Sequence, residues 1–120
     1  MNRVVVTGLG VISPVGNDIA AFWQSLIEGK CGIGPFTAFD TTEYKVKIAA
    51  EVKDFDPLQY LDKAEARKQD RFSQFAVAAA SQAMTDSGLE SGSNIDSFRL
   101  GVYIGTGTGG MHSFLTESAK

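Results

Sequence analysis

The chain has 120 residues, room for one domain and too few for two ordinary ones, and a domain of this size buries roughly two thirds of its unfolded surface. Hydrophobic residues make up 43% and charged residues 21%, with a net charge of -3; this is an ordinary globular composition and excludes a broad attraction to nucleic acid or an anionic membrane. No apolar run approaches the roughly 20 residues that span a bilayer, and the single cysteine, Cys31, excludes an internal disulfide and a multi-cysteine metal site.

In chain order, Arg3 to Thr7 holds Val4, Val5 and Val6 in a row, a β-branched run ended by glycine that predicts a strand buried on both faces. A strand there, with no basic n-region and cleavage site, leaves no signal peptide, and cytoplasmic residence is the default expectation. Gly8, Gly10, Pro14 and Gly16 then break the chain. Asn17 or Asp18 can cap a helix through Phe22, Trp23, Leu26 and Ile27, with Gly29 as its stop and Phe22 and Trp23 as core packing. Gly29 to Thr42 reads as a loop, Lys45 to Val52 alternates loosely as a strand, and Asp54 to Tyr60 reads as a connection.

The clearest helix runs from about Asp70 to Ser87. Phe72, Phe75, Ala76, Ala79, Ala80, Ala83 and Met84 recur at helical spacing and form one face, whose small middle residues allow a neighbour to approach closely. Gly88 is its C-terminal stop. Leu100 to Ile104 is a second apolar strand, followed by the glycine-rich run GTGTGG, and Met111 to Lys120 has helical character. Strand, helix and strand in this order predict an α/β layered fold.

Several residues invite chemistry. Cys31 is the only thiol, but a nucleophilic cysteine needs a partner histidine, a cation or a helix N-terminus to favour its thiolate; with only Lys30 adjacent it reads as structural. His112 is the only histidine, and a separation of 81 positions from Cys31 says nothing about contact, so it reads as a surface or supporting residue. Gly8-Leu9-Gly10 lacks the third glycine that opens the helix of a dinucleotide fingerprint, where Ser13 and Pro14 stand instead, and reads as a tight turn. Gly105, Gly107, Gly109 and Gly110 carry no Lys-Ser or Lys-Thr pair and make no P-loop; they form either a structural turn or a place where backbone approaches a ligand or subunit closely. Lys63, Arg67, Lys68 and Arg71 form a basic cluster within an acidic chain, with Lys63 and Arg67 on one helical face. Nothing here points to a metal or a cofactor.

The segments VVVTGLGVISPVGN, FWQSLIEGKCGIGPFTAFD, AAEVKDFDP, EARKQDRFSQFAVAAASQAMTDSGL and GVYIGTGTGG follow one another in the order found in the β-ketoacyl-acyl-carrier-protein synthases, and each resembles its counterpart there, closest to the synthase II type. The resemblance covers nearly all of the chain. It implies the N-terminal portion of a thiolase-like, five-layered αβαβα fold, with residues 1–120 as an incomplete first part of one synthase domain. It also implies a homodimer and fatty-acid elongation by decarboxylative condensation of an acyl thioester with malonyl carrier protein, with acyl carrier protein as partner. The family's cysteine nucleophile, in an Ala-Cys-Thr-Ser type turn, and its two histidines would all lie beyond Lys120, so this chain would be about the first third of an enzyme or a separately made piece of one, inactive alone.

The resemblance also carries residues across. Gly107, Thr108 and Met111 map to the turn that borders the acyl pocket near the dimer interface; Thr108 departs from the larger aliphatic residue of some members. Arg67 and Lys68 match an Arg-Lys pair on which relatives dock the acidic carrier, with Lys63 beside them and Ala64 where relatives often carry lysine. Two other readings stand beside this one: a nucleotide-binding α/β domain, and a non-catalytic partner resembling a chain-length factor of polyketide synthesis.

Overall fold

The structure, a computed structural model, describes residues 3–120. Its contacts divide the chain into two units, one made of the residues up to Gly10 together with Asp56–Lys120, the other of Val11–Phe55.

In the unit Val11–Phe55, helix α1 (Ile19–Ile27) begins where the sequence places a cap. Asp18 is extended, and its carboxylate accepts the Ala21 N–H at 2.8 Å. Gly29 ends the helix at φ 65, the left-handed conformation that costs glycine least. Ser25 is the residue this helix buries; its hydroxyl donates to the Val15 carbonyl at 2.7 Å and ties α1 to the turn Ser13–Gly16. A Cβ at Gly16 would stand 2.7 Å from the Phe22 Cα, so the turn lies directly on the helix backbone. Asp18→Ala is expected to cost about 1 kcal/mol, the usual loss for an N-cap, read as a lower urea midpoint at unchanged slope.

The stretch expected to be a loop holds a short strand, β1 (Ile33–Pro35), and the expected strand 45–52 contracts to β2 (Ile48–Ala50). The two pair antiparallel, with Ile33 opposite Ala50, Gly34 opposite Ala49 and Pro35 opposite Ile48. Glu51 then accepts from the backbone and hydroxyl of Thr37 and from the Ala38 N–H at 2.9 to 3.1 Å, closing the base of the connection. Phe36 and Tyr44 each meet the Phe39 ring in tilted contacts within it. The Thr42 hydroxyl and N–H both donate to Asp40 and hold its carboxyl below the usual carboxylate range.

The other unit is organised on helix α3 (Arg71–Ser87), which ends at Gly88 with φ 64. Both boundaries agree with the periodicity, but the buried face does not. Ala78 alone on this helix is buried, Ala80 is exposed and Phe72 is 40% exposed. The reason is that α3 is covered along two lines. On one, Gly8 and Gly10 press on the backbone at Ala79, Ala83 and Ser87, and the Leu9 N–H donates to Asp86 at 2.9 Å. On the other, Gln74 donates to the carbonyls of Ala66 and Gln69 and Gln82 donates to the Tyr60 hydroxyl, so helix α2 (Lys63–Lys68) and the 3-10 turn Pro57–Gln59 lie along Gln74, Ala78 and Gln82.

Two predicted strands are absent. Residues 3–7 and 100–104 form no strand among the described residues; Val4 is 91%, Val6 79% and Val102 80% exposed. An isolated extended segment has no ladder to complete it, and an apolar one of this kind is a strand only when neighbours cover it. Trp23 is likewise 62% exposed and is no core residue, while Phe22 is half-buried.

Candidate functional site

Two groups of predicted site residues fall in the unit built on α3. The first is the glycine-rich turn and the start of helix α4 (Met111–Ser118). Gly110 opens this helix at φ 74, and its carbonyl accepts the Phe114 N–H at 2.9 Å. Gly109 lies flat against the Phe72 ring, where a Cβ would come within 2.8 Å of the ring carbons. Gly110 needs glycine for its conformation, whereas a side chain at Gly109 would have to displace the half-exposed Phe72 ring. Asp70 completes the arrangement: its carboxylate accepts the Ser113 hydroxyl at 2.7 Å, and its other oxygen lies 3.3 Å from where a Cβ on Gly110 would stand. Although Asp70 is the N-cap of α3, its side chain makes no capping bond to that helix.

Gly107, Thr108 and Met111 are therefore gathered at one turn, anchored at its C-terminal end by Phe72 and Asp70. They are not enclosed. Thr108 is exposed, nothing lies within 4 Å of a Cβ at Gly107, and Met111 is 50% exposed. Asp70, Phe72 and Ser113 were not expected to belong to this site. The one sequence signal for them was an aspartate at a helix start, and that residue type is usually spent on the helix itself.

The second group lies on α2. Asp62 caps the helix through the N–H groups of Ala64 and Glu65, both at 2.8 Å. Lys63, Arg67 and Lys68 are exposed, and no carboxylate lies within ion-pair distance of them among the described residues. Arg67 and Lys68 occupy the last turn, where the helix dipole favours cations. Arg71 leaves the cluster: its guanidinium sits 4.9 Å from the centre of the Phe75 ring. With Asp62 and Glu65 close by, the surplus of positive charge is small and concentrated at the Arg67-Lys68 end.

Cys31 belongs to the other unit. Its thiol is exposed and lies 4.0 Å from the Ile33 carbonyl, on the wall of a cavity of about 550 Å³ formed with Ser13–Asn17, Lys30 and Lys53. His112 is exposed on α4. Among the described residues no three side chains of the metal-binding types converge, and no helix is long and apolar enough to cross a membrane. Gly8 and Gly10 are accounted for by their approach to α3.

A family model described as beta-ketoacyl synthase, N-terminal domain, matches residues 1–120. The chain is 50% identical over 109 residues to a 3-oxoacyl-[acyl-carrier-protein] synthase 2 from Synechocystis sp. and 52% identical over 109 residues to the protein of that name from Coxiella burnetii, in each case over 91% of this chain. It spans 26% of the length of each of those relatives. A solved structure titled the ishigamide ketosynthase/chain length factor superposes with a TM-score of 0.66 and 38% identity, covering 72% of this chain and 21% of that one. That likeness bears out the expected thiolase-like ketosynthase fold.

Proposed function

Because the chain belongs to the beta-ketoacyl synthase family, whose N-terminal-domain model matches residues 1–120, we propose that it works as part of a 3-oxoacyl-[acyl-carrier-protein] synthase, an acyltransferase of fatty-acid elongation. The observation that carries this reading is the identity of 50–52% to proteins named synthase 2. The reaction joins an acyl group, held as a thioester, to the carbanion released when malonyl carrier protein loses carbon dioxide. The family's cysteine takes the acyl chain, and its two histidines stabilise the charge that develops on the thioester and enolate oxygens. In this reading the working enzyme is a cytoplasmic homodimer that receives its substrates on acyl carrier protein.

This segment contributes surroundings to that reaction. Gly107, Thr108 and Met111 border the acyl chain, and a turn with Thr108 in place of a larger aliphatic residue makes a wider or more polar wall. Lys63, Arg67 and Lys68 offer exposed positive charge to an acidic carrier. Neither Cys31 nor His112 has a role in the chemistry.

The test is to supply the intact enzyme that contains this segment with acyl and malonyl carrier proteins. A 3-oxoacyl carrier protein two carbons longer is the expected product, and its absence would overturn the reading. The 120-residue chain assayed alone is expected to give no turnover above buffer. The solved neighbour, whose title pairs a ketosynthase with a chain length factor, supports a second reading, a non-catalytic partner in polyketide synthesis. An intact protein without a nucleophilic cysteine in its Ala-Cys-Thr-Ser type turn would favour that one.

A further inference from the structure

The carboxylate of Asp70 is placed where a helix N-cap belongs but is used elsewhere. Asp70 is extended, with φ -66 and ψ 156, and makes no side-chain bond to the first turn of α3. Its backbone carbonyl still accepts the N–H groups of Ser73 and Gln74. The side chain crosses instead to the next glycine-rich element and accepts the Ser113 hydroxyl at 2.7 Å, a separation of 43 residues in sequence. A hydroxyl donating to an ionised carboxylate at this distance is among the stronger single hydrogen bonds available to side chains. One residue pair on, the Phe72 ring seats Gly109 face on, and the left-handed Gly110 turns the chain into α4 directly beside Asp70.

We propose that Asp70 is a positioning residue: with Ser113 it latches the start of α4 to the start of α3 and so fixes where Thr108 and Met111 stand against a bound acyl chain. The inference rests on the acyl-pocket reading of that turn. A Cβ at Gly109 would meet the Phe72 ring, and one at Gly107 would have no neighbour within 4 Å. The latch is a polar tether two residues along the chain from Met111. A wall held in one place discriminates chain lengths by contact or collision, and each methylene in a close-fitting site is worth about 10- to 200-fold. A wall free to shift loses that discrimination.

The test measures kcat/KM of the intact enzyme for acyl carrier proteins from short to long chains. Asp70→Ala and Ser113→Ala should each flatten the profile, reducing the ratio between the best and worst chain by at least about fivefold. Ser113→Thr keeps the hydroxyl and should keep the profile. The double substitution should do no more than either single one, as expected for two ends of one bond. KM for malonyl carrier protein should not move. Ser113 is exposed, so Ser113→Ala remains informative if Asp70→Ala fails to fold. A wild-type enzyme that condenses while Ser113→Ala keeps its chain-length profile would overturn the latch alone, as would an equal loss on every chain length. A wild-type enzyme with no condensing activity would remove the functional reading and the latch with it.

Discussion

Gly10→Ala should destabilise the protein by about 1–3 kcal/mol, the range for forcing atoms into a packed site, and toward its upper end. The Cβ of alanine at this position would collide with the Ala79 carbonyl oxygen and stand 2.9 Å from the Ala79 carbonyl carbon and the Ala83 nitrogen. All three are main-chain atoms of a 17-residue helix. They cannot rotate away as a side chain would, so the segment around Gly10 must lift. Lifting it also strains the bond from the Leu9 N–H to Asp86. Gly10 does not adopt positive φ; contact alone makes glycine necessary. Gly34→Ala supplies the control, because nothing lies within 4 Å of its Cβ and its φ is ordinary. That change should stay within about 0.5 kcal/mol, the usual range for substitutions away from such contacts. Chemical denaturation of both variants checks the pair. Equal midpoints for Gly10→Ala and the parent would mean that the segment is not seated on α3.

The same contact explains which parts of the fold could be read from residue order. The small residues Ala79 and Ala83 announced a close neighbour, and the neighbour is the Gly8–Gly10 segment. Caps were legible because they are local: Asp18, Gly29 and Gly88 each act within one helical turn. The strands were legible only in part: residues 45–52 hold β2, while residues 3–7 and 100–104 form no strand among the described residues. An apolar run such as Val4 to Val6 specifies what it would bury, and pairing depends on a second segment that residue order does not name. The polar residues Gln74 and Gln82 hid the second covered line of α3, because periodicity counts apolar side chains and these two bury amide groups by bonding Ala66, Gln69 and Tyr60. For the candidate site, the glycine turn and the basic cluster were marked by composition. Asp70 was visible only as a helix start, since its bond to Ser113 spans two elements. The family resemblance supplied the meaning of both groups, and the comparisons bear out the family and its fold.

Reversing two charges, Arg67→Glu with Lys68→Glu, should produce the largest change in carrier kinetics of any substitution on α2. Both side chains are exposed at the helix end, without a carboxylate partner among the described residues, so their charge is directed to solvent or to an arriving molecule. An acidic carrier would be drawn by that charge chiefly during encounter, and loss of attraction should appear in the apparent KM more than in kcat. An exposed ion pair is worth about 0–1 kcal/mol, so Arg67→Ala or Lys68→Ala alone should raise KM by no more than about fivefold. The double reversal replaces two attractions with two repulsions and also sets acidic residues at the negative end of the helix dipole. At low salt it should raise KM for acyl carrier protein by about tenfold or more. The gap should narrow as salt rises, because at about 0.15 M charges more than roughly 8 Å apart are largely screened. Turnover of a small acyl thioester without the carrier separates docking from damage to the fold. If docking is the role, that activity stays near the parent value while carrier-dependent activity falls. If the reversal merely loosens α2 from α3, where Gln74 holds the Ala66 and Gln69 carbonyls, both activities fall together. Unchanged carrier kinetics at low salt would leave Arg67 and Lys68 as a solvated helix end stabilised by the dipole.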